Sequence, residues 1–187
     1  MKANNFFKGA KKSITKGFTL IELIVGIVVL SISFSLLISL ILPLSEKSAE
    51  QLHQVRASEL GQSMMNEIIA RAFDQQSDMT GGLIRCGEDI GPVCTDYDEL
   101  GSENSESTRA LYNDVDDYID FDFSIEKNAL GESFSSLYPG FNVEVAVCYS
   151  NFSANCSDSI ELAKLITITV ITPQDFDFVF SFYKANF

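Results

Sequence analysis

Three hydrophobic patterns follow one another along the chain, and each predicts a different element. From Phe18 to Leu42 nearly every position is apolar or small, and a single residue, Glu22, is charged. A membrane-crossing helix needs about 20 such residues, so the run is long enough for one transmembrane helix. A cleaved secretory signal has a shorter apolar core closed by a small-residue site, and no such site closes this one. From residue 45 to 73 the period becomes helical. Leu60, Met64, Ile68 and Ala72 recur every fourth residue, and Leu52, Val55, Met65, Ile69 and Phe73 widen the stripe. This predicts an amphipathic helix continuing the first, with Pro43 bending the rod and not ending it. At 1.5 Å per residue the rod from Phe18 to Phe73 would be roughly 80 Å long.

Farther on the period falls to two. Ile119, Phe121, Phe123 and Ile125 alternate with Asp120, Asp122 and Ser124, which predicts a half-buried strand. Phe141, Val143, Val145, Val147 and Tyr149 alternate again, Ala163–Thr172 is rich in β-branched residues, and Phe176, Phe178, Phe180 and Phe182 line a last strand. Tyr138-Pro139-Gly140 and Thr172-Pro173-Gln174-Asp175 supply turns. The expected fold class is α+β, with a long N-terminal helix, transmembrane in its first half and amphipathic in its second, packed on a C-terminal antiparallel sheet of about four strands. The segments are then 1–17, basic; 18–44, the membrane helix; and 45–187, a globular domain made of helix 45–73, an acidic loop region 74–118 and a sheet 119–187.

Charge sharpens this division. The 187 residues carry a net charge of −13, yet residues 1–17 hold five lysines and no acid. Lysines beside a membrane helix stay on the cytoplasmic side, which sends the rest of the chain across. Residues 74–122 contain 14 acids against two arginines, which predicts a solvated, irregular surface. So acidic a domain lacks the Lys/Arg footprint of a nucleic-acid binder, and no nucleic-acid partner is expected.

Little chemistry is legible. There is no nucleophile elbow, phosphate-binding loop or zincin motif, so no catalytic residue and no cofactor is assigned. The lone histidine, His53, reads as a packing residue of the amphipathic helix. Cys86 and Cys94 enclose seven residues, as do Cys148 and Cys156. Four cysteines allow three pairings; the two local ones close short loops and fit an oxidising compartment, while a zinc site would want closer spacing. Asn113, Asp114, Asp116 and Asp117 form the densest run of oxygen ligands, but the glycine and distal glutamate of an EF-hand loop are missing. They remain weak calcium candidates beside the plainer role of solvated or amide-capping acids, and no metal is assigned.

The segment Gly17-Phe18-Thr19-Leu20-Ile21-Glu22, between a basic stretch and a long apolar run, resembles the cleavage and methylation signature of type IV prepilins and their secretion-system relatives. The resemblance implies that 1–17 is a leader, that a prepilin peptidase/methyltransferase cuts between Gly17 and Phe18 and methylates the new amine of Phe18, and that Glu22 is the assembly carboxylate. Leader removal takes away five lysines and leaves 8 basic and 26 acidic residues. Fragments spread over the rest of the chain are similar to minor pilins of the mannose-sensitive haemagglutinin (MSHA) pilus: His53-Gln54-Val55-Arg56, Glu59-Leu60, Pro92-Val93-Cys94, Asn113-Asp114-Val115-Asp116-Asp117-Tyr118, Tyr138-Pro139-Gly140-Phe141, Val147-Cys148-Tyr149, Thr172-Pro173 and Tyr183-Lys184-Ala185-Asn186-Phe187. This implies major and other minor pilins as partners, an inner-membrane assembly machinery, a periplasmic and then cell-surface location, and a part in pilus biogenesis and adhesion. Two other functions share the first 25 residues of the pattern or its membrane span. One is a type II secretion pseudopilin; the other is an uncleaved single-pass protein whose extracytoplasmic domain binds a ligand or calcium.

Overall fold

The computed structural model describes residues 17–77, 85–103, 105–128 and 130–186. The proposed leader, apart from Gly17, and the Gly81-Gly82 loop lie outside the described residues. Contacts divide the chain into two units, Met1–Ser48 and Ala49–Phe187. Helix α1, Leu20–Ile69, contributes to both. Its backbone stays helical at Pro43, and the bend predicted there falls on side chains outside the described residues.

In the first unit, Leu20–Ile41 is a 22-residue span of mean hydropathy 2.8 with none of its residues buried. Its serines do not interrupt it. Ser31, Ser33 and Ser39 donate their hydroxyls to the carbonyls of Ile27, Val29 and Leu36, each at 2.8 Å. A hydroxyl bonded back to its own helix presents little unsatisfied polarity to an apolar surrounding.

In the second unit the later part of α1 buries one face. Ala57, Leu60, Met64 and Ile68 are at most 2% exposed, whereas Leu52, Val55 and Ile69 are about half exposed. The true stripe is therefore narrower than the sequence pattern. The helix ends at Ile69, not at Phe73, where its last turn tightens through Arg71 N–H to the Ile68 carbonyl at 3.0 Å. Lys184 reaches across to donate to the Ile69 carbonyl at 3.0 Å, supplying a cation where a helix leaves its carbonyls unpaired.

That face shares one core with a three-stranded antiparallel sheet, β1 (Asn142–Ser150), β2 (Ala163–Ile171) and β3 (Asp177–Ala185), in the order β1-β2-β3. The register pairs Val143 with Val170, Val147 with Ile166, and Ile168 with Phe180. Period-two alternation then puts Val143, Val145, Val147, Ile166, Ile168, Val170, Phe178, Phe180 and Phe182 against the helix. Phe176 precedes β3 and is exposed, so the phenylalanine row is one residue shorter than expected.

The strand expected at 119–125 does not form. A 3-10 turn spans Asp116–Asp120, turns follow, and the short helix α2 is Phe134–Leu137. Phe121 and Phe123 are buried all the same, packed on Phe134 with ring centroids 6.1 and 5.6 Å apart. Alternation alone reports which side chains face the core, and here a compact turn satisfies it without a ladder partner. The sheet accordingly begins at Asn142 and has three strands.

One close approach fixes how tightly helix and sheet pack. A Cβ added at Gly61 on α1 would lie 2.2 Å from a ring carbon of Phe180. Gly61→Ala should therefore destabilise the second unit by about 1–3 kcal/mol, despite its better helix propensity. Urea unfolding of the mature chain measures it, and a neutral or stabilising result would mean that the Phe180 ring moves freely.

Candidate functional site

The chain's chemistry is concentrated at the start of α1 and in two buried clusters of the second unit. Gly17, Phe18 and Thr19 precede the helix, are non-helical and are exposed. Thr19 is the N-cap: its Oγ1 accepts from the Glu22 N–H at 3.3 Å, and its carbonyl from the Leu23 N–H at 3.2 Å. Thr19-Leu20-Ile21-Glu22 thus has the spacing of a capping box, with Glu22 at the third helical position. A carboxylate in the first turn is favoured by the positive helix end. The Gly17–Phe18 bond lies just ahead of this cap, in backbone open to an enzyme. A Cβ on Gly17 would meet nothing within 4 Å.

The first buried cluster is centred on Lys164 of β2, which is fully buried. It stands on the inward row that continues as Ile166, Ile168 and Val170, where alternation calls for an apolar residue. Its Nζ lies 3.2 Å from Asp74 Oδ2 and is paired with Asp116 Oδ1. The ammonium also sits over the rings of Phe73 and Tyr149, 4.9 and 5.3 Å from their centroids. Asp74 accepts further from the Thr95 N–H at 3.1 Å, the Gln76 N–H at 3.0 Å and the Tyr149 hydroxyl at 3.3 Å. One charged knot therefore joins the chain just past α1, the Thr95 loop, the 3-10 turn and the sheet.

The second cluster contains Glu103, Glu106, Asn113 and Asp117. Asp117 Oδ2 accepts from the backbone N–H groups of Asn113, at 2.6 Å, and Asp114, at 3.0 Å. Asn113 Nδ2 donates to Glu106 Oε1, and Glu106 Oε2 accepts from the Glu103 N–H at 3.3 Å. Burial, then the hydrogen bond with Glu103 and the charge of Asp117, pushes the Glu106 carboxyl up to about 8. Burial likewise raises Asp117, and burial with the neighbouring Asp116 charge pushes Asp114 up to about 9. Glu67 on α1 contrasts with these acids. It is forked by Arg109 and accepts from the Tyr118 hydroxyl at 2.7 Å. Burial, then Glu67, raises the Tyr118 hydroxyl.

The acids of 74–118 are thus not uniformly solvated. Asp74, Glu106, Asp114, Asp116 and Asp117 are buried, because each receives backbone or side-chain donors that a composition count does not register. The four oxygen-rich residues singled out from the sequence separate into different roles. Asp116 pairs with Lys164, and Asp114 Oδ1 caps the N–H of Asp116 at 2.9 Å. Asn113 and Asp117 meet Glu103 and Glu106, two residues the sequence did not single out. Lys164 was missed too, though its place in the inward row was a usable signal.

Cys86 is joined to Cys94, and Cys148 to Cys156. With both pairs oxidised, no thiolate remains for a zinc site. Each short loop so closed contributes roughly 2–3 kcal/mol by restricting the unfolded chain. The Cys86–Cys94 loop packs with Phe73 and Tyr149, and Asn186 Nδ2 donates to the Cys86 carbonyl at 2.9 Å. His53 stands 5.6 Å from Phe141, ring to ring, and belongs to the helix packing.

Residues 12–41 match the model of the prokaryotic N-terminal methylation motif. None of the curated proteins and none of the solved structures compared with the chain matches it. The motif spans the last lysines of the basic stretch, the Gly17–Phe18 bond, Glu22 and the exposed apolar helix. It marks pilin-like structural subunits, which are not enzymes, and the helix it contains is of the length and composition that anchors a protein in a membrane. With an α+β fold of one long helix and an antiparallel sheet behind it, the chain carries the signal of a type IV pilin or pseudopilin-like prepilin, a substrate of prepilin peptidase and a component for pilin-type assembly.

Proposed function

We propose that the chain is a minor pilin of an MSHA-like type IV pilus. Its precursor inserts with the lysines inside and the C-terminal unit in the periplasm. Cleavage after Gly17 frees the Phe18 amine, which is methylated. Helices of neighbouring subunits then pack through Phe18–Leu42 in the fibre, and the acidic domain is displayed at the cell surface, where it serves pilus biogenesis and adhesion. The observation that carries this reading is the cap. Thr19 and Glu22 are arranged so that cleavage leaves a single residue, Phe18, ahead of the N-cap. The new amine and the Glu22 carboxylate are then opposite charges at one helix end. In an apolar fibre core a carboxylate needs such a partner, and the amine of an adjacent subunit supplies one while setting axial register. A buried pair of this kind contributes more to specificity than to net stability.

The test is the identity and amount of subunit in sheared fibres. Wild-type subunit should begin at methylated Phe18 by mass spectrometry. Glu22→Ala should be cleaved normally, yet be recovered from fibres at a level several-fold below wild type. Normal incorporation of that variant sinks the pairing. If deletion of the gene left piliation intact but stopped enzyme export, the chain would be a secretion pseudopilin.

A further inference from the structure

The carboxylate cluster of the second unit is unlike the other buried acids. Asp74 and Asp116 share the ammonium of Lys164, and Glu67 has the guanidinium of Arg109. Glu103, Glu106 and Asp117 have no cation between them among the described side chains. Asp117 is fully buried, yet its Oδ1 has no hydrogen-bond partner. The buried atoms Glu103 Oε2 and Asn113 Oδ1 have none either. A buried acceptor left unmatched costs about 1–3 kcal/mol, and three around one spot call for a common partner.

A metal ion meets that requirement. One oxygen from each of Glu103, Glu106 and Asp117 lies within 4.8 Å of the others. Two oxygens bound to one calcium at about 2.4 Å can be at most twice that distance apart, and all three separations meet that bound. The donor set is all carboxylate oxygen, the preference of a hard divalent cation, and holds no nitrogen or sulfur for a softer one. We propose that Glu103, Glu106 and Asp117, with the Asn113 amide oxygen beside them, bind a calcium ion, water completing the coordination. The ion cross-links Glu103 and Glu106 to the 3-10 turn Asp116–Asp120. The same turn already holds Ser102, whose N–H donates to Asp120 Oδ2 at 3.0 Å. The site owes nothing to the N-terminal motif and stands or falls apart from the pilin reading.

The experiment uses the full-length mature chain in detergent, stripped with a chelator and titrated with calcium chloride by calorimetry in about 0.15 M salt, which screens the exposed acids. One saturable site is expected with a dissociation constant of about 0.1–1 mM, the range of extracellular calcium modules. The thermal midpoint should rise on calcium addition, and magnesium should bind at least about tenfold more weakly. Glu103→Gln removes a partly exposed ligand, and Asp117→Asn keeps an oxygen for the two backbone amides, so both should fold. Each should weaken calcium binding about tenfold or more. Absence of saturable binding by about 10 mM calcium overturns the proposal. So does wild-type affinity in both variants, which would put the ion elsewhere on the acidic surface.

Discussion

Lys164→Ala is expected to lower the stability of the Ala49–Phe187 unit by about 3–5 kcal/mol, because it strands two buried carboxylates without their cation. The loss should exceed what the removed methylenes explain. Lys164→Met separates the two causes, since it keeps the stem that lies along Phe73 and Tyr149 and deletes only the charge. Most of the destabilisation should persist in it. Adding Asp116→Asn to Lys164→Met should then restore part of the stability, as residues in one network do not act additively. Chemical unfolding of the mature chain in detergent provides the comparison. A loss below about 1 kcal/mol for Lys164→Ala would mean that water reaches Asp74 and Asp116 and that the knot is not a buried pair.

Gly17→Leu is expected to halt maturation almost completely, leaving precursor in the membrane. The chain makes no demand of its own for glycine there. A Cβ at that position meets nothing, and the residue lies ahead of the helix cap. Under the proposed cleavage after Gly17, the demand for a small residue comes from outside, from a peptidase that must bring its catalytic groups close to extended backbone, where any side chain intervenes. Gly17→Ala should be the milder variant, with processing slowed and not lost. The ratio of precursor to mature mass in isolated membranes reports both. Conversion of Gly17→Leu at the wild-type rate would remove the cleavage assignment while leaving the fold untouched.

The elements most legible in the sequence are those whose pattern follows from one repeated physical requirement. The run from Leu20 to Ile41 has a single requirement, apolarity all round, and so does the alternation in β1 and β2. The end of α1 was misplaced because Phe73 keeps helical spacing with Ile69 yet packs in a different cluster, against Tyr149 and the Cys86–Cys94 bridge. The segment Ile119–Ile125 alternates as a strand does, but no neighbouring strand pairs with it, and pairing is a property of two segments. The buried clusters were illegible for a related reason. Asp74, Asp116 and Lys164 are brought together across sequence separations of 42 to 90 residues, and nothing local in the sequence encodes their meeting. What local reading could have found is the Thr19-Leu20-Ile21-Glu22 cap and the odd lysine in an inward row.

That no residue of the span Leu20–Ile41 is buried has a consequence for the thermodynamics of the proposed fibre. If the chain assembles as proposed, a subunit leaving the bilayer for a filament exchanges hydrocarbon for the side chains of sister helices, and water is absent on both sides of that exchange. The usual solvophobic gain is then close to nil, since lipid tails are as oily as leucine. In the proposed fibre, elongation would therefore draw its driving force from close van der Waals fit between helices and from the ionic match at the helix start, terms that depend on how well neighbouring subunits fit and not on how much surface they cover.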